Sequence, residues 1–368
     1  MPVVLLFIIF VLLLVIAIPV SITLGIASVL PSVFDPSFTV GAKYLIRAMF
    51  SGLDSFPLLA VPMFVLSGII MAKGGISRKL FDVFAYFFGN FTAGMPCAVI
   101  VTCLFYGAIS GSAPATVAAV GSMTIPILTS LGYDIVFSTA IVAVAGGLGV
   151  IIPPSIPFIM YGMASGASVS NLFLAGIIPG ILIGLLLMLY AIYHCIRFGE
   201  DKEKIHAEIK ILHDKGLLKV LKESFFALLS PVIILGCIYS GIASPTEAAV
   251  ISVFYALIIS LFVYRSIKIK DLWEILTEAI RTFTPILFIL AASTAFSRVL
   301  TLMQVPQTVS AFILNNFHSK VSILLVINLF LLIVGMVMDT TPAILILSPI
   351  LLPIVEAIGV DPVQFGVI

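Results

Sequence analysis

Charge is what this sequence has least of. Lys, Arg, Asp and Glu together make up 10% of its 368 residues, against about a quarter in an ordinary soluble domain. The formal net charge is +1, too small to hold a nucleic acid by its phosphates. Tryptophan occurs once. The four cysteines, Cys97, Cys103, Cys195 and Cys237, stand singly in apolar stretches without CxxC spacing, and the four histidines do not gather around them. A metal site is thereby disfavoured, and the cysteines read as small buried hydrophobes. No HExxH and no GxSxG is present, and Asp339 has no obvious catalytic partner, which argues against a hydrolase. What fills the space is apolar: 61% of residues are hydrophobic and the mean hydropathy is +1.29.

Residues 3–20 carry no charge and are long enough to cross the hydrocarbon layer. They lack a basic leading region and a clean cleavage site, so they read as a retained first helix. The few charges organise the rest. Residues 197–223 hold Arg197, Lys202, Lys204, Lys210, Lys215, Lys219 and Lys222 among acids, and form the only long hydrophilic stretch. Lys and Arg near membrane ends favour the cytoplasm. A second basic knot, Arg265, Lys268 and Lys270, follows two apolar spans at about 224–242 and 246–264. Two crossings return the chain to the same side, so the clusters agree. The orientation of a third knot, Lys73, Arg78 and Lys79, stays open, because the interval before Arg197 contains segments that enter the membrane and turn back.

One unusual segment occurs twice. Residues 110–134 read SGSAPATVAAVGSMTIPILTSLGYD and residues 338–361 read MDTTPAILILSPILLPIVEAIGVD. Pro114 and Pro342 lie 228 positions apart; Gly132 and Gly359, and Asp134 and Asp361, lie 227 apart. Upstream, Pro57 and Pro285 are again 228 apart. A near-constant offset predicts two duplicated halves, 1–198 and 224–368, joined by a basic linker over 199–223. Pro and Gly breaks at corresponding places in two membrane halves point to the binding site of a secondary transporter.

The segment SGSAPATVAAVGS is small, hydroxyl-rich and broken by Pro114, with apolar runs on both sides. Irregular backbone at membrane depth is tolerated only when buried in protein or lining a polar cavity. The expected solution is a helical hairpin that enters and returns, at about 108–131 and again at about 337–359. Freed carbonyls at its tip suit Na⁺, and exposed N–H groups at a helix start suit an anion. Tight helix packing is the competing explanation for so many small residues; two matched copies favour the site. A second broken element is expected at about 136–164. There Gly146, Gly147 and Gly149, then Pro153, Pro154 and Ser155, split a span in two, with Ser155 placed to cap the following helix. Its equivalent in the second half is expected within about ten residues after Phe365. The sequence ends at Ile368, so the whole protein is expected to be some fifty residues longer, about one broken span plus one closing helix.

SGSAPATVAAVGS, GLGVIIPPSIPFIMYG, LFLAGIIPG, SPTEAAV and MDTTPAILILSPILLPI, in that order, resemble the large permease (M) subunit of the tripartite ATP-independent periplasmic (TRAP) transporters. The likeness runs from about residue 2 to the end. It implies the all-α polytopic fold of the ion-transporter superfamily: inverted structural repeats, two re-entrant helical hairpins, broken transmembrane helices, and a scaffold around an elevator-like transport core. It implies a bacterial inner-membrane symporter driven by Na⁺, a small permease (Q) subunit, and a periplasmic substrate-binding protein delivering an organic anion such as a C4-dicarboxylate or sialic acid. The alternative is an ion- or proton-coupled anion carrier of the same superfamily working without a binding protein. A channel is disfavoured, since two matched hairpins closing one occluded site suit alternating access better than a continuous pore. The second Pro-Pro-type motif of the family lies beyond residue 368.

Neither hairpin copy contains Lys or Arg, so an anion held at the tips depends on Na⁺, helix N-termini and hydroxyls. Ser110 and Ser155 are the expected hydroxyl contacts to a substrate carboxylate. Oxygens around Ser112, Pro114, Gly149 and Thr341 are the expected Na⁺ ligands, with Thr116 and Thr340 adding hydroxyls nearby. Asp339 is the only acid near either tip; a charge at depth is a functional candidate, either completing a Na⁺ site or bonding a substrate hydroxyl, unless it is merely hydrated at an interface. Arg298 either meets a substrate carboxylate or snorkels, and Arg47 is similar. Asp54 and Glu247 read as helix caps, the latter in a capping box with Ser244. Gly176, Gly180 and Gly184 share one helix face, which predicts close packing.

Overall fold

The computed structural model describes residues 2–34, 38, 40–317, 319–336 and 338–368. Among them the only regular structure is helical. Among the described residues, seven helical segments are long and apolar enough to cross a membrane: Phe56–Lys73, Ala113–Ser130, Val169–Phe198, Leu217–Tyr239, Pro245–Val263, Ile269–Leu302 and Thr340–Ala357. Their outward faces carry bare aliphatic side chains, such as Ile178, Leu189 and Ile196 on Val169–Phe198. Water would not tolerate so much exposed apolar surface on one protein. The chain is therefore a multi-pass α-helical membrane protein.

Two compact units interleave along the chain: residues 60–158 with 169–280, and residues 1–59 with 159–168 and 281–368. In the first unit one apolar core runs from Ile70 to Ile275 through Phe81, Ile100, Tyr106, Val142 and Ile209. In the second, Leu6, Phe10, Leu24, Phe296 and Ile350 form one cluster, with Phe10 stacked on Phe296 at 5.7 Å between ring centroids.

The expected span over 3–20 is not one rod. Its helix stops at Val15 and a new one begins at Val20. Ala17 takes a left-handed φ of +63°, and Pro19 keeps the residue before it out of the helical region. The two apolar helices then pack on each other. The expected spans at 224–242 and 246–264 run over Leu217–Tyr239 and Pro245–Ile258, the latter continuing through a π turn, Ile259–Val263. Ser244 and Glu247 form the expected capping box, Glu247 Oε2 accepting the Ser244 N–H at 2.7 Å.

The polar linker is less loose than its composition suggests. Lys202–Asp214 is an amphipathic helix that buries Ile205, Ile209 and Leu212 against the helix Ile76–Phe88. Asp201 caps it, accepting the Lys204 N–H at 3.2 Å, and the Lys204 ammonium beside it holds the Asp201 carboxyl below its ordinary pKa.

The helices around the two related segments match in length and spacing. Ala113–Ser130 and Thr340–Ala357 each contain 18 residues and start 227 positions apart. Asp134 and Asp361, also 227 apart, each cap the next helix with a side-chain oxygen. Gly132 and Gly359 before them have φ of +93° and +71°, a conformation that suits glycine. In this register Pro114 stands second in its helix and Pro342 third, which explains the one-residue slip between their offsets. Upstream the copies diverge. Pro57 lies in a short 3-10 turn after a break at Asp54, whereas Pro285 lies inside the unbroken helix Leu272–Leu302.

Candidate functional site

The first related segment, 110–134, supplies the tip and the second arm of a helical hairpin, not the whole hairpin expected at about 108–131: the first arm, Gly94–Ser110, lies upstream of it. Gly94–Ser110 and Ala113–Ser130 pack on each other and are joined by Gly111 and Ser112 alone. Gly111 makes the reversal with φ +61°; Pro114, in the first turn of the second helix, has no N–H to leave unpaired there. Glu200 accepts the Ala93 N–H at one end of the hairpin and the Tyr133 hydroxyl at the other, so both ends reach the same place. The second segment likewise supplies one arm, Thr340–Ala357, which packs on the upstream helix Lys320–Gly335, and Lys320 Nζ donates to the Gly359 carbonyl at 3.0 Å.

At the first tip the polar atoms converge. Ser110 is 1% exposed, and its hydroxyl lies 2.9 Å from the Thr116 hydroxyl. The Ser112 carbonyl accepts from the Thr116 hydroxyl at 2.9 Å and from the Thr116 N–H at 3.0 Å. The Ser112 side chain makes no capping bond. The expected broken element meets this tip. Its helices, Ile135–Gly146 and Ile156–Ser165, flank a 3-10 turn at Gly147–Val150 and an irregular step that holds the Pro153–Pro154 cis peptide bond. The Gly111 carbonyl accepts the Ile156 N–H at 3.1 Å, pinning tip to break.

Glycine makes the approach possible. A Cβ on Gly149 would sit 2.5 Å from Thr116 Oγ1 and 3.1 Å from the Ser112 carbonyl oxygen; one on Gly107 would sit 2.5 Å from the Gly149 Cα. Ser155 is fully buried. Its hydroxyl donates to the Val150 carbonyl at 2.5 Å and accepts the Phe158 N–H at 3.3 Å. It thus caps the second half of the broken helix, as expected.

Ser110, Ser112, Pro114, Gly149 and Ser155 therefore belong to one compact unit; Ser110, Ser112 and Gly149 adjoin Thr116, whereas the Ser155 hydroxyl bonds within its own broken element. Asp339 and Thr341 belong to the other unit. Asp339 is exposed and caps Thr340–Ala357, accepting the Thr340 N–H at 2.8 Å; Thr341 is buried in the first turn. Arg298 donates to Ser51 Oγ at 3.0 Å. Gly176, Gly180 and Gly184 pack as expected, against Phe158, Ile152 and Leu104.

Sequence reasoning missed the support behind the tip. Tyr106, buried, donates to the Gly68 carbonyl at 3.1 Å, and a Cβ on Gly68 would lie 3.2 Å from the Ser110 Cα. Beside it, the Ser67 hydroxyl is buried without a hydrogen-bond partner among the described residues. Gly107 and Gly111, four apart around Ser110, carried the available signal for a close helix approach.

Chemically, this is a set of neutral oxygens, hydroxyl and carbonyl, at the meeting of two chain breaks. Such donors suit a hard monovalent cation or a hydrogen-bonded anion, and no group of three or more His, Cys, Asp or Glu residues gathers to hold a metal among the described residues. A multi-pass helical protein with such paired breaks has the architecture of a membrane transport component. Residues 7–368 match the family model described as "Tripartite ATP-independent periplasmic transporter, DctM component". The chain is 43% identical over 98% of its length to the isethionate TRAP transporter permease protein DctMQ of Oleidesulfovibrio alaskensis, covering 55% of that protein. It is 39% identical over 87% of its length to the C4-dicarboxylate TRAP transporter large permease protein DctM of Pseudomonas aeruginosa, covering 74% of it. To the sialic acid TRAP transporter large permease protein SiaM of Vibrio cholerae it is 34% identical over 89%, covering 76%. The chain belongs to the DctM family of TRAP transporter large permeases, a family of transport proteins and not of enzymes.

Proposed function

We propose that this protein is the large permease of a bacterial inner-membrane symporter that imports a small organic anion with Na⁺. The observation that carries this reading is the first tip: Ser110, Ser112 and Thr116 present hydroxyl and carbonyl oxygens beside the backbone of Gly149, with no basic side chain in the segment. Ser112, Pro114 and Gly149 hold Na⁺ through carbonyl oxygens at one tip, and Thr341 contributes at the other. Ser110, Ser155 and Asp339 contact the substrate. With no Lys or Arg in either related segment, 110–134 or 338–361, the bound cation and helix N-termini neutralise the anion. Coupling follows: the anion gains its counter-charge only when Na⁺ is present.

The two hairpins are read as re-entrant. Gly94–Ser110, 17 residues long, spans only about 25 Å, short of a hydrocarbon layer of about 30 Å. The start of this helix and the end of its partner, Ala113–Ser130, lie together at the base, where Glu200 meets Ala93 and Tyr133. The matched helices support an inverted repeat with a scaffold and an elevator-like moving core. The relatives' names supply the substrate class: isethionate, C4-dicarboxylates and sialic acid all carry an acidic group on a small polar skeleton. They also support a small permease subunit and a periplasmic binding protein as partners. Uptake in proteoliposomes holding both permease subunits and a cognate binding protein tests the reading. Transport stops when K⁺ replaces Na⁺; transport that persists without Na⁺ refutes the coupling.

A further inference from the structure

Glu200 stands between the long helix Val169–Phe198 and Asp201, the cap of Lys202–Asp214. Its two carboxylate oxygens accept the Ala93 N–H at 3.0 and 3.1 Å, and one of them also accepts the Tyr133 hydroxyl at 2.5 Å. Ala93, with φ +58°, is the N-cap of Gly94–Ser110 and has no side chain able to cap it. Glu200 instead accepts the N–H of the N-cap residue itself, from 107 residues away, and its charge opposes the positive end of the helix. Tyr133 follows Gly132, where a Cβ would lie 3.2 Å from the Asp201 Cβ. The start and the finish of the first hairpin are thus both fastened to the Glu200–Asp201 corner. Charge-assisted bonds of this kind are the strong ones.

We propose that Glu200 is the positioning residue that clamps the base of the first hairpin and so sets the register of its tip against Gly149. The inference rests on the reading of that tip as a Na⁺ site. Gly94–Ser110 acts as a lever about 25 Å long. A swing of about 5° at the base moves the tip by about 2 Å over that length. Gly107 and Gly149 leave no room for such a shift in one direction, and in the other it parts the Ser112 carbonyl from the 3-10 turn. Residues that orient ligands without touching the ion commonly change affinity by about 10- to 100-fold when lost.

The test uses the full chain with its partner subunit in proteoliposomes, with Glu200→Ala, Glu200→Gln and Tyr133→Phe. Two quantities are read: hydrogen exchange at the Ala93 amide, and the Na⁺ concentration giving half-maximal uptake. Glu200→Ala is expected to deprotect Ala93 and to raise the Na⁺ half-saturation about tenfold. Glu200→Gln, which keeps one acceptor oxygen, and Tyr133→Phe, which keeps the Ala93 bond, fall between it and the parent. The Tyr133→Phe arm decides the matter if Glu200→Ala does not fold. Unchanged Ala93 exchange in Glu200→Ala overturns the clamp; so does deprotected Ala93 with an unmoved half-saturation, which leaves Glu200 a purely structural cap, and in Tyr133→Phe an unmoved half-saturation overturns it. If the parent protein transports without Na⁺, the coupling reading fails by itself. The clamp is then decided by Ala93 exchange and the substrate half-saturation, which must rise together in Glu200→Ala.

Discussion

At the scale of single residues, the tip is governed by which positions have no side chain. Gly149→Ala places a carbon 2.5 Å from Thr116 Oγ1, and Gly107→Ala one 2.5 Å from the Gly149 Cα. Both contacts are far inside van der Waals range, and the Gly107 one is against backbone that cannot rotate away. Overpacking of this kind costs about 1–3 kcal/mol. Each substitution is expected to lower the melting temperature of the purified protein and to cut uptake by more than tenfold; wild-type uptake from Gly107→Ala would show that the two helices do not meet in the working protein. The serines separate differently. Ser110→Ala removes a hydroxyl whose near neighbours are Thr116 and the Ser112 backbone, so uptake falls while the melting temperature barely moves. Ser155→Ala also loses the cap of Ile156–Ser165, about 1 kcal/mol, so uptake and stability fall together. Asp339→Ala removes the cap of Thr340–Ala357 as well as the only acid beside the second tip.

At the scale of elements, the sequence was legible where a local rule is broken. Ser, Gly and Pro inside apolar runs marked the turn at Gly111–Ser112, the start of Thr340–Ala357 and the step at Pro153–Ser155, because lipid forbids irregular backbone unless something else satisfies it. The capping box at Ser244 was legible for the same reason: its partners are three residues apart. What joins distant parts was not. No local pattern ties Glu200 to Ala93, Tyr106 to Gly68, or Lys73 to Glu274 and Glu278, ion pairs of 2.8 Å each that span some two hundred residues. The break near Ala17 was hidden by uniform hydrophobicity, which reports burial but not direction. The linker helix was written in its 4- and 3-residue spacing of Ile205, Ile209 and Leu212, under a composition dominated by charge. Elements held by local rules should be separable from the site. Ser244→Ala, which dismantles only the capping box, is expected to cost about 1 kcal/mol. In thermal unfolding it lowers the midpoint, while the Na⁺ dependence of uptake stays as in the parent.

At the scale of the whole molecule, the two related segments make a topological claim. Glu200 lies at the head of the Lys-rich stretch that the positive-inside tendency assigns to the cytoplasm, and it holds the Ala93 and Tyr133 ends of the first hairpin. On that assignment the first hairpin is expected to open toward the cytoplasm. If the halves are inverted copies, the second must open toward the periplasm, where Lys320 closes its base against Gly359. Thr92 and Ser319 are exposed residues just outside the first helix of each hairpin, and Lys210 lies on the linker helix. Of the native cysteines, Cys97, Cys103 and Cys195 are buried, and Cys237 is partly so. With Cys237→Ser as background, single Thr92→Cys, Lys210→Cys and Ser319→Cys variants are challenged with a membrane-impermeant thiol reagent, in intact spheroplasts and in inverted vesicles. Thr92→Cys and Lys210→Cys are expected to label only in inverted vesicles, and Ser319→Cys only in spheroplasts. Labelling of Thr92→Cys and Ser319→Cys from the same side makes the repeats parallel and removes the basis for alternating access between them. The opposite-side result is the one expected of inverted repeats.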